Sequence, residues 1–139
     1  FRNDAGGWEL RSARFKGGSS PKHITTIDNR SDTVIAFEGF MDFLSYQTLL
    51  RSSKNDIIQP YPNDCIILNS TSIVHKAIPF MEVYNHVYCY LDNDDAGLRA
   101  FSVIEKTLGE HTTLMSHLYN DYNDINDYLL GKKKRQDKE

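Results

Sequence analysis

The chain has 139 residues, of which 40% are hydrophobic and 25% are charged, and its net charge is −3. This length and composition are typical of a globular domain with a buried core, and the slightly acidic balance excludes a protein that binds nucleic acid through overall positive charge. No apolar run approaches the roughly 20 residues of a membrane-spanning helix, so we expect no membrane partner. The chain begins at Phe1, with neither an initiator Met nor a signal-peptide pattern, so we expect a piece of a longer protein, for which our prediction is the cytoplasm.

The first 32 residues predict a small β extension. Residues 8–12, 13–17 and 24–28 are short β-prone runs separated by glycine-rich or polar turns. The basic side chains concentrated here are Arg2, Arg11, Arg14, Lys16 and Lys22, against only Asp4 and Glu9. Charge alone favours ordinary surface variation, but a basic flank beside an acidic centre also suits an anionic substrate held next to metal ions.

From residue 33 onward, apolar runs alternate with helical patterns. The predicted strands cover residues 33–39, 64–70, 86–92 and 112–119. The predicted helices cover residues 40–52, 71–84, 96–109 and 124–133, and Pro79 should kink or split the second. In the first helix, Phe40, Phe43, Leu44 and Gln47 share one face, with Leu50 near it. This order predicts an α/β fold with a mostly parallel four-stranded sheet flanked by helices.

Three groups of acids follow the predicted strands. They are Glu38 with Asp42 after the first strand, Asp92 with Asp94 after the third, and Asp124 with Asp127 after the fourth. Because the carboxyl ends of parallel strands lie at one edge of a sheet, we expect these groups to converge. Oxygen ligands of this kind suit Mg²⁺ or Mn²⁺, and such ions act on phosphates. The simpler alternative is that individual acids are only helix N-caps.

The motifs "FEGFMD" at 37–42 and "LDNDDAG" at 91–97 resemble the toprim domain, and most closely that of the bacterial DnaG-type primases. "DINDYL" at 124–129 resembles a third primase segment, with Asn126 in place of its second acid and Asp127 one step on. "LNSTS" at 68–72 resembles a primase loop. "SSPK", which ends at Lys22, resembles a segment near nucleotide or nucleic acid.

The resemblance implies a Rossmann-like toprim domain over residues 33–130. Residues 131–139 are charged and lack apolar anchors, which predicts a disordered tail. The resemblance also implies Mg²⁺- or Mn²⁺-dependent nucleotidyl transfer that makes RNA primers, with single-stranded DNA and ribonucleoside triphosphates as partners, and a helicase contacted through regions outside this chain. The implied catalytic residues are Glu38, Asp42, Asp92 and Asp94. The implied metal ligands are Glu38, Asp92, Asp94, Asp124 and Asp127. The resemblance also places Lys22 at the site, and we predict from their charge that Arg11, Arg14, Lys16 and Lys22 contact phosphates.

Two other functions stay open at this point. Toprim domains also occur in nucleases and topoisomerases, although Ala96 before Gly97 departs from the topoisomerase pattern. A non-catalytic nucleic-acid-binding module is the third interpretation, because Asn126 replaces an acid and the sequence contains neither the zinc-binding nor the helicase-binding module of such primases. It is equally open whether this chain makes primers alone.

Overall fold

A computed structural model describes residues 1–53, 56–59 and 62–135 of the chain. The strands are β1 Glu9–Arg11, β2 Lys16–Gly18, β3 Thr25–Ile27, β4 Thr33–Phe37, β5 Asp64–Ile67, β6 His86–Tyr90 and β7 Thr112–Leu114. The helices are α1 Phe40–Leu50, α2 Val74–Met81, α3 Asp95–Leu108 and α4 Ile125–Leu130. Short 3₁₀ turns cover Thr71–Ile73, Gly109–His111 and Ser116–Tyr119.

The main sheet has the strand order β3-β5-β4-β6-β7. β5, β4, β6 and β7 are parallel neighbours, and β3 adds to the edge of β5 in the antiparallel direction. The predicted α/β class and mostly parallel sheet are confirmed. The sheet has five strands instead of four, because a segment assigned to the N-terminal extension pairs with β5.

Successive residues of the central strand β4 point to opposite faces of the sheet, and both faces are covered. Val34 and Ala36 belong to a core cluster with side chains of α2 and α3. Ile35 and Phe37 belong to a second cluster with side chains of α1 and α4. A strand buried on both faces accounts for the unbroken apolar run "TVIAF".

The buried face of α1 differs from the predicted one. The helix buries Asp42, Ser45, Tyr46 and Leu49, whereas Leu44 and Leu50 are 44% and 49% exposed. Two polar residues face inward because they form hydrogen bonds with Asn126 of α4. The pattern of apolar residues was therefore a poor guide to this helix.

The predicted fourth strand is also shorter than expected. β7 ends at Leu114, and a 3₁₀ turn covers Ser116–Tyr119. The Tyr119 hydroxyl donates to the Leu91 carbonyl at 2.7 Å, which turns this segment back over the end of β6. No helix in the described part of the chain has the length and apolar character required to cross a membrane.

The N-terminal segment forms a separate β1–β2 hairpin, in which Glu9 is paired with Gly18 and Leu10 with Gly17. The chain around the hairpin is attached to the edge strand: the Asp4 N–H donates to the Ile24 carbonyl at 2.9 Å, and the Asp4 carboxylate accepts hydrogen bonds from Thr26. These contacts place the hairpin beside the carboxyl-end edge of the sheet.

Candidate metal centre and nucleic-acid interface

Glu38 and Asp92 meet at the carboxyl ends of two neighbouring strands. Phe37 of β4 is in register with Tyr90 of β6, so the segments that follow these two strands leave the sheet side by side. The Asp92 backbone N–H donates to Glu38 Oε2 at 2.9 Å. Burial raises the pKa of Glu38, and the hydrogen bond from Asp92 partly offsets this rise.

Asp42, Asp92 and Asp124 form a carboxylate triad. One carboxylate oxygen from each of the three lies within 4.8 Å of the others. Asp42 comes from the first turn of α1, Asp92 follows β6, and Asp124 is the N-cap of α4. Oxygens that coordinate one Mg²⁺, Mn²⁺ or Ca²⁺ ion are on the order of 3–5 Å apart, so one cation can contact all three.

The electrostatics of the triad fit a divalent cation. Burial raises the pKa of Asp42 to about 7, and repulsion by Asp124 adds to the effect. The pKa of Asp92 is also raised, first by burial and then by the neighbouring Asp42 and Glu38. Like charges crowded in this way need a counter-charge, and the all-oxygen donor set is the one that Mg²⁺ and Mn²⁺ prefer.

Asp94 and Asp127 lie outside the triad. Asp94 Oδ1 accepts the Gly97 N–H at 2.8 Å and caps α3, whereas the helix-cap interpretation had named its neighbour Asp95 for this helix. Asp124 is both a member of the triad and the N-cap of α4, since its Oδ1 accepts the Asp127 N–H at 2.7 Å. The pKa of Asp127 is raised by burial and by Asp124, whereas Lys132 and Arg11 lower it. The ligand roles of Asp94 and Asp127 stay predictions.

Asn126 and Ser45 support Asp42. The Asn126 N–H donates to Asp42 Oδ1 at 3.3 Å, and the Ser45 hydroxyl donates to Asn126 Oδ1 at 3.1 Å. Ser45 was not among the site residues predicted from the sequence. Its position three residues after Asp42, on the same side of a helix, was the available signal.

Asn93 connects the loop that follows β6 to the segment that precedes Asp124. The two N–H groups of its side-chain amide are shared among the carbonyls of Ser116, Tyr119 and Tyr122 at 2.9–3.1 Å, and its backbone N–H donates to the Asn123 carbonyl at 2.7 Å. Asn93 was not predicted to be part of the site, although it lies between two residues that were.

The first residues of the charged tail lie against this loop. Lys134 Nζ donates to the Asn93 carbonyl at 2.8 Å, and the Lys134 N–H donates to the Asp121 carbonyl at 2.8 Å. The predicted disorder of the tail also concerned residues 136–139, which lie outside the described residues. The domain boundary at residue 33 stays a prediction.

A cavity of about 470 Å³ opens above the triad. Its lining includes Arg11, Lys16 and Lys22 on one side and residues 70–73 on another. Lys16 is close enough to Glu38 to lower its pKa. Lys22 Nζ forms a salt bridge with the Glu9 carboxylate at 3.1 Å, so its charge is partly neutralised.

Arg14 lies in the turn between β1 and β2, outside the cavity lining. Its side chain is exposed, and its backbone N–H donates to the Ser12 hydroxyl at 3.3 Å. The structure therefore places three of the four predicted phosphate contacts around the cavity. Their phosphate-binding role stays a prediction.

The described part of the chain is thus an α/β domain with a carboxylate centre at the carboxyl ends of its parallel strands and basic residues facing it. Residues 35–129 match the model of the Toprim-like family, and the chain belongs to that family. No curated protein matches the sequence.

A solved structure described as the primase fragment of the bacteriophage T7 primase-helicase protein is similar in fold. The TM-score is 0.63 at 17% sequence identity, over 94% of this chain and 56% of that one. This chain therefore spans little more than half the length of the solved fragment. The resemblance to the toprim domain of primases is confirmed at the level of family and fold.

Proposed function

We propose that this chain is the catalytic toprim core of a primase-like protein that joins ribonucleotides into RNA primers on single-stranded DNA. The observation that carries the proposal is the convergence of Asp42, Asp92 and Asp124 at the floor of a cavity whose rim holds Arg11 and Lys16. Family membership and the fold of the T7 primase fragment support it.

The triad would hold Mg²⁺ or Mn²⁺, which when bound polarises phosphate oxygens and stabilises the charge that develops during displacement at phosphorus. The side-chain oxygen of Asp94 that does not cap α3 would provide a further ligand, together with Asp127. Glu38 is oriented by the Asp92 N–H through Oε2. Its raised pKa suits it to accept the proton of the attacking 3′-hydroxyl.

Arg11, Lys16 and Lys22 would contact phosphate groups across the cavity from the acids, with Arg14 at its margin. Such contacts are independent of base sequence and fix the position of the strand or triphosphate. The solved neighbour is a fragment of a primase-helicase protein by its description. A helicase contacted through regions outside this chain is the corresponding partner that we propose here.

A metal titration tests the triad. Mg²⁺ or Mn²⁺ at a hundredfold excess over Kd should stabilise the folded chain by about 2.7 kcal/mol. We expect Asp124→Asn to abolish this thermal shift. Asp94→Asn should reduce the shift while leaving the metal-free melting temperature nearly unchanged, because Asn caps helices as well as Asp. Asp95→Asn, an exposed change in the same turn of α3, is the matched control.

An activity assay then separates the candidate functions. The chain, and the full-length protein that contains it, are incubated with single-stranded DNA, labelled ribonucleotides and Mg²⁺ or Mn²⁺. Template-dependent RNA that disappears in Asp92→Asn supports the proposal. Cleavage of DNA without any need for nucleotides would instead indicate a toprim nuclease. Absence of any metal-dependent thermal shift would indicate a non-catalytic module.

A further inference from the structure

The outer face of the β1–β2 hairpin carries three large apolar side chains. Trp8, Leu10 and Phe15 are 49%, 49% and 57% exposed. Glu9 lies between two of them in sequence but is buried and bound to Lys22. The hairpin therefore turns its acid inward and its apolar residues outward, the reverse of the usual arrangement on a protein surface.

The glycines of β2 show that these side chains share one face. A Cβ atom on Gly17 would lie 2.7 Å from the ring of Phe15, and a Cβ atom on Gly18 would lie 2.7 Å from Lys22 Nζ. Gly17 is paired with Leu10, so Phe15 and Leu10 are on the same side. The Phe15 ring lies over Gly17, where any larger residue would displace it.

This face adjoins the cations of the hairpin and is continuous with the candidate site. Arg14 is exposed in the turn at the end of the face, whereas Arg11 and Lys16 pair with each other and point to the opposite face, with Glu9, toward the site. The hairpin's one acid is neutralised by Lys22. Leu10 and Gly17, which belong to the apolar face, also line the cavity above the triad. A bound molecule can therefore extend from the triad onto the hairpin without a break.

We propose that this face, formed by Trp8, Leu10 and Phe15, is a stacking platform for unpaired bases of a single-stranded nucleic acid. Its phosphates contact Arg14 beside the face, and Arg11 and Lys16 where the strand passes around the hairpin into the cavity. Flat aromatic and apolar side chains beside cations match the alternating bases and phosphates of a single strand. A duplex has its bases already stacked, and an apolar peptide would leave the three cations unpaired. The inference deepens the proposed function, on which it rests, by assigning the place where the template strand is held.

Trp8 provides a direct readout, because it is the chain's one tryptophan. Oligothymidylate is titrated into the chain with Mg²⁺ and without ribonucleotides, so that no synthesis takes place. We expect Trp8 fluorescence to fall as bases stack on it. A labelled oligomer followed by anisotropy gives the affinity. We expect Phe15→Ala to weaken binding by roughly 5- to 150-fold, the range for loss of one stacked base.

Two controls isolate stacking from charge. Phe80→Ala removes an aromatic side chain that is 45% exposed on α2, and it should leave binding unchanged. An abasic oligomer carries the same phosphates without bases. It should bind the original chain more weakly than oligothymidylate does, and Phe15→Ala should not affect it. Equal affinity of the original chain for the two oligomers, or unchanged oligothymidylate binding after Phe15→Ala, would contradict the proposal that bases stack on this face.

Asp92→Asn distinguishes this inference from the proposed function. The substitution removes a charge from the triad, so it should abolish RNA synthesis while the fluorescence change with oligothymidylate persists. Stacking without any RNA synthesis by the unmodified full-length protein would overturn the proposed function alone. RNA synthesis that is unaffected by Phe15→Ala, together with unchanged Trp8 fluorescence, would overturn the platform alone.

Discussion

The Asp92 backbone N–H donates to Glu38 Oε2 at 2.9 Å, which links the ends of two neighbouring parallel strands through one side chain. The bond fixes the orientation of Glu38 relative to the backbone that carries a triad ligand. It also lowers the energy of the ionised form of Glu38, against the burial that raises its pKa. Substitutions of Glu38 can therefore distinguish the effect of its charge from the effect of its hydrogen bond with the Asp92 N–H.

Glu38→Gln should keep the hydrogen bond, because the Gln carbonyl can accept from the Asp92 N–H, but it removes the charge. We expect the metal-free protein to keep or slightly raise its melting temperature, since repulsion among the acids falls. Catalytic rate should fall by about 10²–10⁴-fold if Glu38 accepts the substrate proton.

Glu38→Ala removes the bond as well, and it should lower the melting temperature by an amount that corresponds to about 0.5–1.5 kcal/mol for the loss of one hydrogen bond at a partly buried N–H. Melting curves in EDTA and single-turnover rates give both quantities. Equal melting temperatures for the Gln and Ala variants would contradict a structural role for the hydrogen bond.

The metal-free protein should lose stability as pH rises. The pKa of Asp42 is about 7 in the folded chain and about 4 in the unfolded chain. Between these values the folded state binds more protons, so the free energy of unfolding decreases with increasing pH. Asp92, whose pKa is raised in the same direction, extends the decrease to higher pH.

Thermal melts in EDTA from pH 5 to pH 9 test this dependence. Saturating Mg²⁺ should reverse the trend, because the cation binds the ionised carboxylates. Asp42→Asn should flatten the metal-free curve. A melting temperature that rises between pH 5 and pH 9 in EDTA would contradict the raised pKa values, because it would mean that positive groups of the folded chain stabilise the ionised carboxylates.

The alternation of apolar runs and helical patterns was sufficient to predict the parallel sheet, because strands buried on both faces leave a strong signal. Glu38 and Asp92 could also be predicted from the sequence, since they lie one and two residues after the ends of such strands. Strand β3 was not assigned to the sheet, because its three residues pair only through contacts with β5 that are distant in sequence. Tertiary pairing of this kind overrides local pattern.

The supporting residues of the site were missed for a related reason. Asn93 and Ser45 act through hydrogen bonds to segments 23 to 81 residues away in sequence. Periodicity reports which residues are apolar, and it carries no information about which polar residues are buried with partners. Burial of Asp42 and Ser45 on α1 could therefore be found only after α4 had been placed.

Gly97 should be intolerant of substitution by Ala. Ala normally stabilises a helix interior by about 1 kcal/mol relative to Gly. A Cβ atom on Gly97, however, would lie 2.1 Å from the Asp92 carbonyl oxygen, so either α3 or the backbone of Asp92 must move. We expect a loss of about 1–3 kcal/mol in unfolding free energy and weaker metal binding.

The exposed neighbour Arg99 provides the control for Gly97→Ala. Arg99→Ala, in the same helix, should change neither quantity by more than about 0.5 kcal/mol. Urea denaturation and Mn²⁺ titration of both variants give the comparison. A Gly97→Ala variant as stable as the original chain would show that the backbone of Asp92 is free to shift.

Asn93→Ala should loosen the position of Asp124 relative to Asp92, because the Asn93 side chain ties the loop of Asp92 to the segment that precedes Asp124. The substitution removes three hydrogen bonds to the segment that precedes Asp124, so Asp124 should lose its fixed position relative to Asp92. Loss of such a supporting partner typically reduces metal affinity by about 10–100-fold. Isothermal titration with Mn²⁺ measures this change directly.

Lys134→Ala is the matched control, because it removes only the tail's side-chain bond to the Asn93 carbonyl and leaves the amide of Asn93 in place. It should leave Mn²⁺ affinity within about twofold of the original, because the exposed Lys134 ammonium makes a bond of small net value. Asn93→Asp extends the comparison. It preserves shape but presents a carboxylate to three carbonyl oxygens, so it should bind Mn²⁺ no better than Asn93→Ala. Full affinity in Asn93→Ala would mean that the backbone alone positions Asp92 and Asp124.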